Sequence, residues 1–245
     1  MPRAMAPLRL VRAAANTVLF PLWTMLSIFV AGCAGYMLRD PRLFHRWQRH
    51  WAKGALGICG IELSITGQEN MQPGRGYVVV ANHLSHIDTP AIFSALPLTP
   101  KFLAKRELWK IPFLGAALRL GGHIRVDRES RRAAVESIQS AAAHVRDGAT
   151  VLLFPEGTRS DSGSVGKFKS GAFHLAKAAG APILPVGITG TRSVLPKHGR
   201  LVRSGKVHIR IGAPIEPSEV QASDVKTLGQ RAREAVAELA GASAD

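Results

Sequence analysis

From Ile61 onward the chain alternates two periodicities, and this alternation limits its possible folds more than any other feature. Short, nearly continuous Val/Ile/Leu runs fall at 61–66, 77–81, 101–104, 124–126, 150–154, 183–188 and 207–211. Gly, Pro or Asn bound them, as expected for strands covered on both faces. Between them, 90–95, 113–120, 131–146, 170–179 and 218–239 read as helices. In 131–146, Ala134, Val135, Ile138, Ala142 and Val145 follow helical spacing, and Gly148 ends the run. The pattern predicts an α/β domain over 60–245, with a mixed, mostly parallel sheet flanked by helices.

An N-terminal two-helix segment, 1–59, precedes that domain and points to a membrane. Residues 13–38 carry no charged side chain, and the 22 residues of 17–38 rise ~33 Å as a helix, about the thickness of a bilayer core. The next segment, 42–58, is amphipathic and basic. Leu43, Phe44, Trp47, Trp51 and Leu56 share one face, while Arg42, His45, Arg46, Arg49 and Lys53 lie largely on the other. Such a helix is expected at an interface, with aromatics toward lipid and cations toward headgroups.

Three arrangements fit: a span followed by a surface helix, a hairpin dipping into one leaflet, or a cleaved export signal. Hydropathy favours the span, while Pro21, Gly32 and Gly35, which interrupt the first helix, keep the hairpin as the next reading. Val30-Ala31-Gly32-Cys33 loosely resembles a lipoprotein processing site. The bilayer is the expected partner in each case.

The formal charge of +15 asks for an anionic partner, and residues 1–59 contribute eight Lys/Arg against one Asp. Arg192, Arg200, Arg203 and Arg210 crowd one C-terminal region, yet no helix-turn-helix, zinc finger, RNP or KH signature accompanies them. No nucleic-acid partner is therefore expected. Cys33 and Cys59 form no CxxC or zinc spacing, so no disulfide framework is expected, which fits a domain facing a reducing cytosol. His86, His123 and His174 lack a carboxylate spaced to complete a metal site, and no metal is expected.

Two strand ends carry the chemistry. Asn82-His83-Leu84-Ser85-His86-Ile87-Asp88 follows the second apolar run, and Thr89-Pro90 reads as a helix cap with Pro at the first helical position. On a continuous helix, five residues would set His83 and Asp88 ~140° apart. In a strand-to-helix turn, the carboxylate can fold onto the imidazole, fix its tautomer and leave the other nitrogen to take a proton. The same spacing also suits a structural hydrogen bond at a helix start.

Phe154-Pro155-Glu156-Gly157-Thr158-Arg159-Ser160 ends the fifth run. Gly157 permits a close backbone approach to an anion, Thr158 and Ser160 offer hydroxyls, and Arg159 offers a fork to phosphate. An ordinary polar loop would use the same residues. Lys105 and Arg128 follow two further strands and are expected at the same sheet edge. There is no GxSxG elbow, Walker loop or GxGxxG. Direct attack by a substrate hydroxyl on an activated acyl group is the simplest chemistry left.

These residues resemble the glycerolipid acyltransferases, specifically the bacterial 1-acyl-sn-glycerol-3-phosphate acyltransferases. NHLSHID resembles their NHxxxxD motif and FPEGTRS matches a second block. In order around them stand Lys105-x-x-Leu108, Gly122-x-Ile124-x-Val126-Asp127-Arg128, Phe168-Lys169-x-Gly171 and 181–186. The resemblance spans roughly residues 60–190 and implies an acyl transfer from acyl-CoA or acyl-acyl carrier protein. The acceptor would be the free sn-2 hydroxyl of lysophosphatidic acid, giving phosphatidic acid. It implies His83 as general base oriented by Asp88. Glu156, Gly157, Thr158 and Arg159 would hold the acceptor phosphate with Lys105 and Arg128, and Pro182 and Pro185 would help shape the acyl-donor site. It implies neither metal nor cofactor, and a place on the cytoplasmic side of the inner membrane. Other acceptors, such as a lyso-ornithine lipid or a lysophospholipid, stay open, as does a membrane-anchored binding protein without catalysis.

Overall fold

The computed structural model describes residues 6–37, 41–97, 100–126 and 131–241. Two long helices, α1 (Ala6–Met37) and α2 (Pro41–Cys59), lead into β1 (Ile61–Thr66). Then come β2 (Val78–Ala81), α3 (Asp88–Ala95), β3 (Lys101–Lys105), a 3-10 turn (Arg106–Lys110), α4 (Leu114–Leu120), β4 (Ile124–Val126) and α5 (Arg131–Arg146). The remainder is β5 (Val151–Leu153), α6 (Gly171–Ala179), β6 (Ile183–Thr189), α7 (Thr191–Val194), β7 (Gly205–Ile211), α8 (Pro217–Ala222) and α9 (Val225–Leu239).

The described strands form one sheet in the order β1-β7-β6-β2-β5-β3-β4. All pairings between these strands are parallel except that of β6 with β7. The mixed, mostly parallel sheet expected from the alternating runs is present. Every residue of β2 is buried because Val78 and Val80 face a core under α5, α6 and α9, while Val79 and Ala81 face α2 and α3. Lying between β5 and β6, β2 ends where chain crossovers leave the sheet in opposite directions, and a crevice forms beyond such an edge.

One expected helix is two. The 218–239 segment breaks at Ser223, and Asp224 starts α9 as its cap, its Oδ1 accepting from the Lys226 and Thr227 amides at 2.9 and 3.0 Å. A free aspartate just before a helix offers the amides an alternative to continuing the previous turn.

The N-terminal pair departs further from expectation. The apolar face of α2 packs into the protein: Phe44, Ala52, Ala55 and Leu56 are buried. The indole N–H of Trp23 donates to the Trp51 carbonyl at 2.9 Å, that of Trp47 to the Ser27 carbonyl at 3.1 Å, and that of Trp51 to Thr24 Oγ1 at 3.2 Å. The tryptophans lock the two helices together. The exposed apolar surface belongs to α1 instead, where Val11, Leu22, Met25 and Phe29 face outward.

The other side of α1 is pinned to the domain along its length. Asn16 is buried and donates to the Cys59 and Val202 carbonyls at 3.1 and 3.3 Å, and Thr17 Oγ1 accepts from the Val202 amide at 2.9 Å. Near its end, Gly32 presses against the backbone of Phe113, where a Cβ would lie 2.7 Å away. The glycines read from sequence as interruptions are close-packing points, and α1 runs unbroken through Pro21. Asn16→Ala strands two buried carbonyls. It is expected to cost about 1–2 kcal/mol, measurable as a lower midpoint in denaturant.

Candidate active site

Adjacent parallel strands β2 and β5 deliver the two motifs to one place. Asn82 completes the sheet beyond β2: its Nδ2 donates to the Ile188 carbonyl at 3.0 Å, and its Oδ1 accepts from the Ile188 amide at 2.8 Å. That side chain stands in for a missing ladder rung, so the backbone is free to turn at His83. The helix then begins two residues earlier than the Thr89-Pro90 cap implied. Asp88 is the first residue of α3, and Pro90 lies in its first turn, where amides have no helical partner anyway.

Asp88 is wholly buried, and one oxygen organises the turn. Its Oδ2 accepts from the Leu84 amide at 2.7 Å and the Ser85 amide at 2.8 Å, and it lies 2.8 Å from His83 Nδ1. Two amides already donate to that oxygen, so it acts as an acceptor and His83 Nδ1 carries the proton. The Nε2 lone pair is then the free end of the ring. A stack on Phe154, with centroids 4.1 Å apart and an interplanar angle of 16°, holds the plane of the imidazole. The His83 side chain keeps 20% of its surface exposed. Its accessible nitrogen can receive a proton from a bound hydroxyl.

The second motif is sewn to the first through backbone. The Ser160 amide donates to the His83 carbonyl at 2.7 Å, and the His83 amide donates to Glu156 Oε1 at 2.8 Å. Glu156 Oε2 accepts from the Gly166 amide at 3.2 Å. Glu156, read from sequence as part of the phosphate cradle, thus spends both oxygens on N–H groups and braces the histidine turn. Its partial burial raises the carboxyl pKa, and the His83 and Gly166 amides oppose that shift.

The amide part of the expected cradle is also largely spent. Gly157, at φ +74°, donates its N–H to the Phe154 carbonyl at 3.0 Å, and the Ser160 amide goes to His83. Cations remain. Arg159 is half-buried, with no hydrogen-bond or ion-pair partner among the described residues, and Thr158 is exposed beside it. Lys169, which sequence reasoning gave no role, lies over Gly157: a Cβ there would stand 2.6 Å from its ammonium nitrogen. The Lys169 amide donates to the Pro155 carbonyl at 2.9 Å, which sets its position. Its signal was the Phe168-Lys169-x-Gly171 block. His86 is exposed nearby, and desolvation first, then the Arg159 charge, lower its pKa.

Other expected residues are distributed differently. Lys105 ends β3, separated from β2 by β5 at the same sheet edge. Arg128 lies outside the described residues. Pro182 and Pro185 are both buried, Pro182 at the entrance to β6 and Pro185 within it, between β2 and β7. Their carbonyls accept from the Val78 and Gly212 amides at 3.0 and 2.9 Å, so they serve the sheet. The described residues contain no group of three or more metal-ligating side chains, and Cys33 and Cys59 are free thiols.

Comparison with known proteins agrees with this geometry. A 1-acyl-sn-glycerol-3-phosphate acyltransferase alpha of Bos taurus is 35% identical over 72% of this chain and 62% of its own length. A 1-acyl-sn-glycerol-3-phosphate acyltransferase of Chlamydomonas reinhardtii is 36% identical over 72% of this chain and 52% of its own. The chain thus spans about half to three fifths of the length of the curated relatives it matches. The crystal structure of the 1-acyl-sn-glycerophosphate acyltransferase PlsC from Thermotoga maritima aligns over 95% of this chain and 96% of its own, with a TM-score of 0.80 and 29% identity. The acyltransferase family profile matches residues 62–189, which include both motifs and the sheet edge between them, and the chain belongs to that family.

Proposed function

We propose that this chain moves a fatty acyl group from acyl-CoA or acyl-acyl carrier protein to the free sn-2 hydroxyl of 1-acylglycerol 3-phosphate, giving phosphatidic acid. The observation that carries the proposal is His83, held by Asp88 through Nδ1, beside the Phe154–Ser160 motif whose Arg159 has no partner among the described residues. His83 Nε2 takes the hydroxyl proton as the oxygen attacks the thioester carbonyl, and Asp88 stabilises the imidazolium that forms. Collapse of the tetrahedral adduct breaks the C–S bond, and the imidazolium returns its proton to the departing sulfur. The thioester is a co-substrate, and no step calls on a metal or cofactor.

Arg159 and Lys169 hold the acceptor phosphate, with Lys105 at the same edge. Residues 1–59 are the membrane-anchoring unit and 60–245 the catalytic one. Pinned along one side, α1 lies in the plane of one leaflet with its outward apolar face in lipid. That posture suits the cytoplasmic face of the inner membrane, where the acceptor is already embedded.

Initial rates with both donor types against lysophosphatidic acid, lysophospholipids and lyso-ornithine lipid test the acceptor. Preference for a phosphate-free acceptor would overturn the assignment. Arg159→Ala is expected to raise the KM for lysophosphatidic acid about tenfold, since a partly exposed charge-assisted bond is lost. Donor KM should stay put, and the opposite split would move the phosphate site elsewhere.

A further inference from the structure

A second basic site lies away from His83, along the outer edge of the sheet. A groove of about 810 Å³ runs between the Arg106–Lys110 turn, the end of α4, β4 and one face of α5. Arg106, Lys110, Arg119 and Arg125 line it, with His144 at its far wall and Glu136 as the one carboxylate among its lining residues. Lys110, Arg119 and Arg125 are exposed and have no hydrogen-bond or ion-pair partner among the described residues. Trp109 also lines the groove.

The position of the groove identifies its occupant. The segment that forms its lip also exposes Leu108, Ile111 and Phe113. Phe113, held at φ +61°, places its ring 4.8 Å from that of Phe29 on α1. A non-glycine residue at positive φ is strained and persists only where packing compensates. Here the strain joins the lip to the apolar face of α1. A leaflet that accepts this face takes up Leu108, Ile111 and Phe113 with it, and the adjacent cations then stand at headgroup depth.

We propose that the groove binds the phosphate headgroup of an anionic glycerophospholipid from the leaflet in which α1 lies. Such a lipid would orient the domain over the membrane. This rests on the in-plane anchoring proposed above. It adds a second lipid site that takes no part in acyl transfer.

Binding of the full-length protein to vesicles tests it. Phosphatidylcholine vesicles are compared with phosphatidylcholine mixed with phosphatidylglycerol, by co-sedimentation without substrates. The Arg119→Ala/Arg125→Ala protein is expected to lose about fivefold in partition per removed cation on the mixed vesicles, with binding to pure phosphatidylcholine unchanged. A matched loss of charge far from the groove, Lys206→Ala/Lys226→Ala, should have little effect. Arg119→Lys/Arg125→Lys should recover most of the binding. Acyl transfer to substrate dispersed in neutral detergent should be unchanged, which also shows that the variants fold.

Equal losses in the two alanine pairs would mean diffuse charge and no site. Displacement of the protein from mixed vesicles by soluble coenzyme A, absent in the Arg119→Ala/Arg125→Ala protein, would make the groove a nucleotide-phosphate site and overturn the lipid. A wild-type chain that binds neither vesicle would remove the anchoring itself, and the groove proposal with it.

Discussion

Acyl transfer by the His83→Ala protein is expected to fall by about 10²–10⁴-fold, with donor and acceptor binding nearly intact. The range is that of a positioned general base, the role proposed for His83, and its hydrogen bonds suit it to that role. Asp88 Oδ2 already accepts from the Leu84 and Ser85 amides, so the imidazole can approach it only as a donor through Nδ1. Nε2 is left basic and accessible. Removing the ring should leave the fold standing, because the structural bonds of His83 are made by its backbone. Its carbonyl still accepts from Ser160, and its amide still donates to Glu156. Asp88 keeps two of its donors. Single-turnover rates on protein with an unchanged circular dichroism spectrum give the comparison. Turnover equal to that of wild type would remove His83 from the mechanism.

The pairing of His83 with Asp88 was legible because both ends are local. A strand ends, a turn of fixed length follows, and a helix starts, so five residues suffice to state the geometry. The alternation of short apolar runs and helical spacing likewise disclosed the sheet, since covering both faces of a strand leaves an uninterrupted apolar signature. What sequence could not supply was contact between distant segments. Glu156 looks like a ligand beside Arg159, yet its partners are amides 73 and 10 positions away.

Pro182 and Pro185 likewise stand in a block that resembles a substrate motif, but their carbonyls are ladder acceptors in a central strand. The aromatic stripe of α2 has the composition of a membrane face. It meets α1 and the domain, and the exposed apolar residues lie on the longer, less polar α1 instead. Lys169 escaped notice for a related reason: a lysine is informative only once the turn it crosses is known. Periodicity reports which face is buried, and it does not report against what.

Glu156→Gln separates a brace from a ligand, and a loss of about 10²-fold in kcat is expected, with little change in the KM for lysophosphatidic acid. A carboxylate offers two acceptor oxygens, and here two amides use them. Glutamine keeps the shape but has one acceptor and one NH₂, so one of the two amides meets a donor. Whichever it is, the side chain at 156 must move, and the turn carrying His83, held to it through the His83 amide, shifts with it. A displacement on the order of 1 Å at a reacting group costs about 10²-fold.

Were Glu156 a phosphate ligand, the variant would instead act on the KM for the acceptor. Loss of its negative charge beside a phosphate would lower that KM. The two readings therefore differ in sign as well as in parameter. Stability supplies an independent check. Burial lifts the folded-state pKa of Glu156 above its unfolded value, so the folded chain binds the extra proton in the interval between them. The contribution is present below the unfolded value and is lost as pH rises through the folded one. Glutamine cannot titrate. The slope of unfolding free energy against pH in that interval should therefore be flatter in Glu156→Gln than in wild type. An unchanged slope would mean that water reaches the carboxylate and that the brace is looser than its two hydrogen bonds imply.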